Sequence, residues 1–581
     1  MKKAIALFLA LCMTLLTLPL MSAYAADVQN PVSNVSHDDT WTAISDYAGL
    51  KALTADGKYY LTADITIDED RTEALFNGTF TGSFDGAGYL ITFASGKGLT
   101  LSASGAMMFQ TVGTDASITN LALGTKAAPV TLKLGTLPEE EILCGLLAAE
   151  TGGAVKTISN VHVYVNMDAS TSVALNFGGL FGSLANSVTV QGCSANGSIT
   201  LDGSAQNQLL NVGGIAGIVR TGGTVRLTDC VNKANIVLKN TKKAASGVGG
   251  MIGGILYKSG NNNPGLIIRN CANVAQLDCV KICGGIIGYI QNKPSSTATP
   301  KAMKITGCYQ SGTVMAGTRG GGIVGSAAAN STNPLTICGC LNVGTVKATA
   351  ANAVIAGILG QNFKTADCTI TMCLQKGVLD VNGLENVTAE EFVSNDKKAT
   401  CTVENFPEIT TDNFTMKQTA AVRIVEPMGI RFTATINADL YQQLVENFGD
   451  MLQIGTLIAP EQYVKDAGDF TVEKLEALRT EKDIATPTYL ACVYEETVKK
   501  GSFTGAITAE IPEQYSLNYT AISYIAVVVE GERIILAYAA EATVPVSMAT
   551  IAKLAYDDPD ESFTEEQKAA LAKYFAGQSA E

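Results

Sequence analysis

At 581 residues, with 57 glycines and 16% charged against 47% apolar residues, the chain is too long for one ordinary core and too apolar for a disordered or collagen-like polymer. Glycine is unfavourable inside helices by about 1 kcal/mol per residue, so this abundance excludes an all-helical protein and favours strands joined by small-residue turns. The net charge of −14 argues against a nucleic-acid partner, and one Trp with two His leaves a thin catalytic and metal-binding vocabulary.

Residues 1–25 read as an export signal. Lys2 and Lys3 form a basic start, residues 4–20 are an apolar run, and Ala23-Tyr24-Ala25 is a small-x-small cleavage site before Ala26. Leu11 precedes Cys12, where a lipoprotein signal would place a small residue, so release is expected and lipidation is not. No later stretch is long and apolar enough for a membrane anchor.

Two motifs then recur. Gly, two apolar residues and a small residue appear at Gly145-Leu146-Leu147-Ala148, Gly179-Leu180-Phe181-Gly182, Gly214-Ile215-Ala216-Gly217, Gly250-Met251-Ile252-Gly253, Gly285-Ile286-Ile287-Gly288, Gly322-Ile323-Val324-Gly325 and Gly357-Ile358-Leu359-Gly360. The spacing is about 35 residues, a period that signals stacked structural repeats. Between these copies an apolar residue stands three before a cysteine, as in Val190 and Cys193, Leu227 and Cys230, Ile268 and Cys271, Ile305 and Cys308, Ile337 and Cys340, Ile370 and Cys373. Ile118-Thr-Asn-Leu121 and Ile158-Ser-Asn-Val161 place Leu and Val at the cysteine position.

Each copy contains two or three short strand-like runs and no helical period. One copy cannot bury its apolar face alone, but stacked copies can, with strands about 4.8 Å apart. The expected fold is mainly β, a right-handed parallel β-helix or solenoid with capping segments, followed by a separate C-terminal α+β domain. Leu180, Ile215, Met251, Ile286, Ile323 and Ile358 should form one inward stack. Gly179, Gly214, Gly250, Gly285, Gly322 and Gly357 read as repeat corners needing positive φ.

The Gly-Gly-Ile-Val-Gly and Ile-x-x-Cys-x-x-x-Gly-x-Val patterns, over about residues 140–380, resemble the GLUG-type repeats of bacterial secreted adhesins and surface proteases. Upstream, Ile44-Ser-Asp-Tyr-Ala-Gly-Leu50, Gly57-Lys-Tyr-Tyr-Leu-Thr-Ala-Asp-Ile65 and Phe80-Thr-Gly-Ser-Phe-Asp-Gly-Ala-Gly-Tyr-Leu-Ile91 are similar to the entry segment of such β-helices, which implies a short capping helix leading into the first coils. Val387-Thr-Ala-Glu-Glu-Phe392 looks like a short helix closing the other end. The resemblance implies an extracellular, surface-associated adhesive or binding scaffold and specifies no ligand. The expected divisions are an entry segment at 26–79, the solenoid at 80–382, a cap and linker at 383–415 and the α+β domain at 416–581.

In that last region the glycine repeat stops and charge rises. Strands are expected at 421–425, 429–436, 523–529 and 533–538, the last two about a turn at Glu530-Gly531, with helices at 438–448, 472–479 and 565–574. The run from Arg423 to Phe432 resembles a C-terminal module of secreted Gram-positive proteins, to which no activity attaches.

Residues 151–384 carry 17 Lys and Arg against 6 Asp and no Glu, a net of +11 that leaves −25 for the rest. Either these are ordinary solvated charges, or they form a basic face for anionic glycans or cell-wall polymers. Lys239, Lys242 and Lys243, in one polar loop, are the candidate contacts. Cys193, Cys230, Cys271, Cys308, Cys340 and Cys373 share one repeat position and read as buried free thiols in an inward ladder. An exported chain would otherwise invite a disulfide framework. Cys279-x-x-x-Cys283 and Cys338-x-Cys340 are spaced like metal pairs, but without nearby His or further paired cysteines no metal site is expected, and no cofactor. The Gly320-x-Gly322-x-x-Gly325 match to a dinucleotide fingerprint is a by-product of the repeat. A carbohydrate-active enzyme on a β-helix is the alternative, but the spacing of Asp168, Asp202, Asp229, Asp278, Asp367 and Asp380 puts them at no common repeat position, and His162 alternates with valines as a solvent-facing residue would.

Overall fold

The computed structural model describes residues 37–220, 222–256, 265–292, 301–329, 334–363, 368–395, 401–424, 429–494, 501–508, 512–529, 531–559 and 563–576. The export signal expected at 1–25 lies outside them. The chain forms two units, one spanning Asp27–Phe406 and the other containing Pro407–Glu581.

The first unit is a β-solenoid. Strands of successive coils pair in parallel in three stacked sheets of 25, 10 and 9 strands. One coil runs through Gly247–Gly249, Ile252–Leu256, Gly265–Arg269, Ala272–Asn273 and Leu277–Cys279. Each of these strands pairs in register with its equivalent in the next coil, as in Val248 with Cys283, Ile252 with Ile287, Ile268 with Ile305 and Leu277 with Val314. Parallel register places like side chains on one another, and the inward ones make a single core from Ile44 to Cys373. Parallel pairing begins at Thr42–Ile44 and continues to Cys401–Asn405, so the stack includes residues of both expected covers.

Leu147, Leu180, Ile215, Met251, Ile286, Ile323 and Ile358 are fully buried. Their backbones are joined coil to coil, from the Leu147 N–H to the Leu180 carbonyl at 2.9 Å through to the Ile323 N–H and the Ile358 carbonyl at 3.0 Å. The first repeat, however, sits one residue out of the register its motif suggests. Cys144 pairs with Phe177 and Ala148 with Phe181, so Gly145 falls opposite Gly178, and Leu146 takes the place held later by Gly179.

The expectation of positive φ at the repeat corners is corrected. None of Gly179, Gly214, Gly250, Gly285, Gly322 and Gly357 has it. They are glycine because the next coil comes too close. A Cβ on any of them would lie 1.9–2.3 Å from a backbone carbonyl oxygen of the following coil. The left-handed corner lies elsewhere, one residue before the cysteine position, at Asn120, Asn160, Gly192, Asp229, Asn270, Gly307, Gly339 and Met372, with φ of 52–61°. Gly, Asn and Asp tolerate this conformation and most side chains do not, which makes Met372 the exception. From the nine-stranded to the ten-stranded sheet the chain turns in two residues at 179–180, 214–215, 250–251, 285–286, 322–323 and 357–358. The interval from the ten-stranded sheet to the next strand varies from 2 residues, after Phe80, to 10, after Asn292.

The entry helix forms at Tyr47–Lys51, where the Asp46 carboxylate accepts the Gly49 N–H at 2.9 Å and so caps its first turn. The lone Trp and one of the two His meet beside it. His37 stacks on Tyr60 at 4.2 Å, lies 4.6 Å from Trp41 and bonds the buried Asp85 at 3.0 Å, fastening the first described segment to the first coils. The helix expected at 387–392 is instead strand Thr388–Glu390 and a corner. Phe392 occupies the Ile358 position one coil on, its carbonyl accepting the Ile358 N–H at 3.3 Å, because continuing the ladder satisfies backbone groups that a helix would leave at an open edge.

The second unit is α+β. One antiparallel sheet holds Phe414–Met416, Gly429–Ile436, Ala421–Arg423 and Ser502–Thr508; the other holds Leu490–Tyr494, Leu452–Pro460, Asn518–Val529, Glu532–Tyr538 and Val546–Ser547. Helices form at Ala438–Phe448, Val472–Glu481 and Glu565–Ala572, with two more at Glu461–Ala467 and Met548–Asp557. Residues 425–428 of the Arg423 to Phe432 run lie outside the described residues.

Candidate functional site

Cys193, Cys230, Cys271, Cys308, Cys340 and Cys373 are at most 1% exposed, and the register of their neighbours stacks them on six consecutive coils. All are free thiols. The first five each donate to the carbonyl two residues back, at 3.3–3.5 Å. Burial pushes the thiols of Cys193, Cys271, Cys308 and Cys373 well above the usual range; at Cys230 and Cys340 burial acts the same way but is outweighed by hydrogen bonds from the neighbouring ladder thiols, so what shields these two is their enclosure. Native protein at pH 8 should therefore spare these six from iodoacetamide, and denaturant should expose them; peptide mass mapping that finds them alkylated in the folded state would contradict this packing.

Two residues beyond the cysteine position runs a second ladder that the cysteine motif masks in the sequence. Asn232, Asn273, Gln310 and Asn342 are fully buried. The Asn232 amide donates to Asn273 Oδ1 at 2.7 Å, that of Asn273 to Gln310 Oε1 at 2.7 Å, and that of Asn342 to Gln375 Oε1 at 2.7 Å. The same amides bond the backbone two residues on, as Asn273 does to the Ala275 carbonyl at 3.0 Å. They fill the space that the corner glycines leave empty: a Cβ on Gly285 would lie 2.6 Å from Gln310 Oε1. Its signal is the amide in Cys230-Val-Asn232, Cys271-Ala-Asn273, Cys308-Tyr-Gln310, Cys340-Leu-Asn342 and Cys373-Leu-Gln375.

The outer surface carries the charge. In Thr224–Thr228, Gly265–Arg269 and Met303–Thr306 the apolar residues other than Ile267 point inward, and Arg226, Arg269 and Lys304 are exposed on the outer face. Arg226 is in register with Ile267 and Ile267 with Lys304, so the two cations are two coils, about 10 Å, apart, with Arg269 on the coil between. Their partners in register on adjoining strands are Thr189, Ile267, Thr228, Thr306 and Thr336, none of them acidic. Asp229 stands at the adjoining corner, half-buried and held above the usual carboxylate range by that burial.

Lys239, Lys242 and Lys243 are exposed, the first at the end of strand Val231–Lys239 and the others in the turn that follows. Lys239 is in register with Asp202, so one carboxylate accompanies this group.

The acids correct one reading. Asp168, Asp278 and Asp380 do share one outer row, through Thr200 and Val237, then Met315 and Lys347. They recur every third coil, about 14 Å apart, beyond the separation of roughly 5–9.5 Å used by paired glycosidase carboxylates. Asp380 pairs with Lys347 at 2.9 Å and is held below the usual range by it. Asp367 lies outside the described residues. His162 bonds Ser194 Oγ at 2.9 Å, and burial lowers its pKa. It faces away from the core yet is largely covered.

Among the described residues no group of three His, Cys, Asp or Glu side chains is placed to hold a metal, and no helix is long and apolar enough to cross a membrane. Comparison with protein families, curated proteins and solved structures finds no match.

Proposed function

We propose that this is an exported, loosely surface-associated and non-enzymatic scaffold whose solenoid binds anionic glycans or cell-wall polymers along the face of Arg226, Arg269 and Lys304. The observation that supports this reading is three exposed cations on consecutive coils of a parallel sheet, in register only with uncharged residues on adjoining strands and with the half-buried Asp229 beside Arg269. A polyanion presents charges at regular intervals, and a surface built from equivalent coils can meet several of them at once. Lys239, Lys242 and Lys243 are a second, weaker contact group, offset by Asp202.

The full chain is expected to retain sulfated or phosphate-bearing polymers over neutral ones. Affinity should fall at least tenfold between 0.1 and 1 M salt, as the Debye length shrinks from about 10 to about 3 Å. Changing Arg226, Arg269 and Lys304 together to Gln should weaken binding about tenfold, since exposed charges contribute roughly 0–1 kcal/mol each. The Lys239, Lys242 and Lys243 triple to Gln should do less. Salt-independent binding, or an unchanged first triple, would overturn the reading. Release of reducing ends from the same polymers would favour a carbohydrate-active enzyme instead.

A further inference from the structure

One pair of cysteines differs from the buried ladder. Val188, Val225, Leu266, Met303, Leu335, Cys368 and Cys401 occupy one inward position on successive coils. The first five are apolar, and the last two rungs are cysteine. Among the described residues, strand Cys401–Asn405 is the last of the stack and pairs only with Cys368–Gln375 on the preceding coil. With no further coil stacked on it among the described residues, Cys401 is partly exposed, whereas Cys368 is buried. The two sulfurs are 2.7 Å apart.

The geometry points to Cys368 and Cys401 as a disulfide-forming pair that locks the last strand onto the solenoid. Directly paired residues of adjacent strands have Cα atoms near 4.8 Å, within the span a disulfide accepts. Parallel Cβ vectors suit a bridge poorly inside the stack, where neighbours above and below hold every strand. The last strand has a neighbour on one side only, so it can turn to bring its sulfur over. The oxidant is an external disulfide of the small-thiol class. Cys401, the accessible thiol, attacks it as a thiolate, forming a mixed disulfide and releasing one small thiol. The Cys368 thiolate then attacks the Cys401 sulfur and releases the second. Both protein thiols lose their protons, one S–S bond forms in the protein, and the external disulfide is reduced to two thiols.

The test uses the full chain equilibrated with glutathione disulfide, denatured, alkylated and digested without reduction. Of the thirteen cysteines at positions 144 and beyond, eleven should label, and the Cys368 and Cys401 peptides should appear linked. In the Cys401→Ser protein all twelve remaining thiols of that set should label. Oxidised parent should also resist protease cleavage within the last strand about tenfold longer than reduced parent, because local opening there becomes rarer. Thirteen labelled thiols, a bridge between other cysteines, or Cys401 stopping as a stable glutathione adduct with Cys368 free would each overturn the assignment. The parent measurement does not depend on the variant folding.

Discussion

Gly285→Ala is expected to lower the stability of the solenoid by about 3 kcal/mol or more, although this glycine has an ordinary negative φ. Its Cβ would lie 1.9 Å from the Gly322 carbonyl oxygen and 2.6 Å from Gln310 Oε1. The first is backbone, held by the coils on either side, and cannot step back. Gly96 is the informative control. It has φ of +80° with nothing within 4 Å of a Cβ, so Gly96→Ala should cost only the left-handed penalty of about 1–2 kcal/mol. Chemical denaturation followed by far-ultraviolet circular dichroism would rank the two. If Gly96→Ala were the more damaging, backbone conformation and not coil-to-coil approach would explain the corner glycines.

A second large effect is expected at Asn273. Replacing it by Leu keeps the volume but strands three groups in the interior: one donor of Asn232, Gln310 Oε1 and the Ala275 carbonyl. Each buried group left without its partner costs about 1–3 kcal/mol, so a loss of about 3 kcal/mol or more is expected. The penalty belongs to the orphaned partners and not to leucine. Converting Asn232, Asn273 and Gln310 to Leu together should therefore recover part of the loss. A single Asn273→Leu protein as stable as its parent would mean that the amide ladder adds nothing over apolar filling.

What the sequence disclosed was whatever repeats with a period and an obvious chemistry. Ile215, Met251 and Ile286 recur at one place in each copy and stack as their spacing requires; the cysteines do the same. The corner glycines were visible too, but the reason for them was not, since glycine is demanded both by positive φ and by a close neighbour, and only the fold says which. The left-handed corner was legible in principle, because Asn, Asp or Gly precedes most of the cysteines, yet the cysteine drew the eye. The amide ladder went unseen because a polar residue in a strand reads as outward until its register shows other amides above and below it. At Val387 to Phe392 a helix-like composition lost to tertiary context, for an exposed sheet edge rewards one more strand. A basic face was legible in the net charge, but its expected contacts were Lys239, Lys242 and Lys243, since Arg226, Arg269 and Lys304 are far apart along the chain and adjacent only once the coils are stacked.

The invariant two-residue turn between the nine- and ten-stranded sheets divides each coil into parts that tolerate change and a part that does not. One residue added there would slip the next strand by one position, and side chains that point inward would point to water. The interval after the ten-stranded sheet already varies from 2 to 10 residues while the strands around it keep their places. New sequence can thus be acquired or grafted there, coil by coil, each insertion displayed beside the last at a fixed interval. The molecule is in this sense a rack with standard shelves, on which the goods can be exchanged without rebuilding the frame.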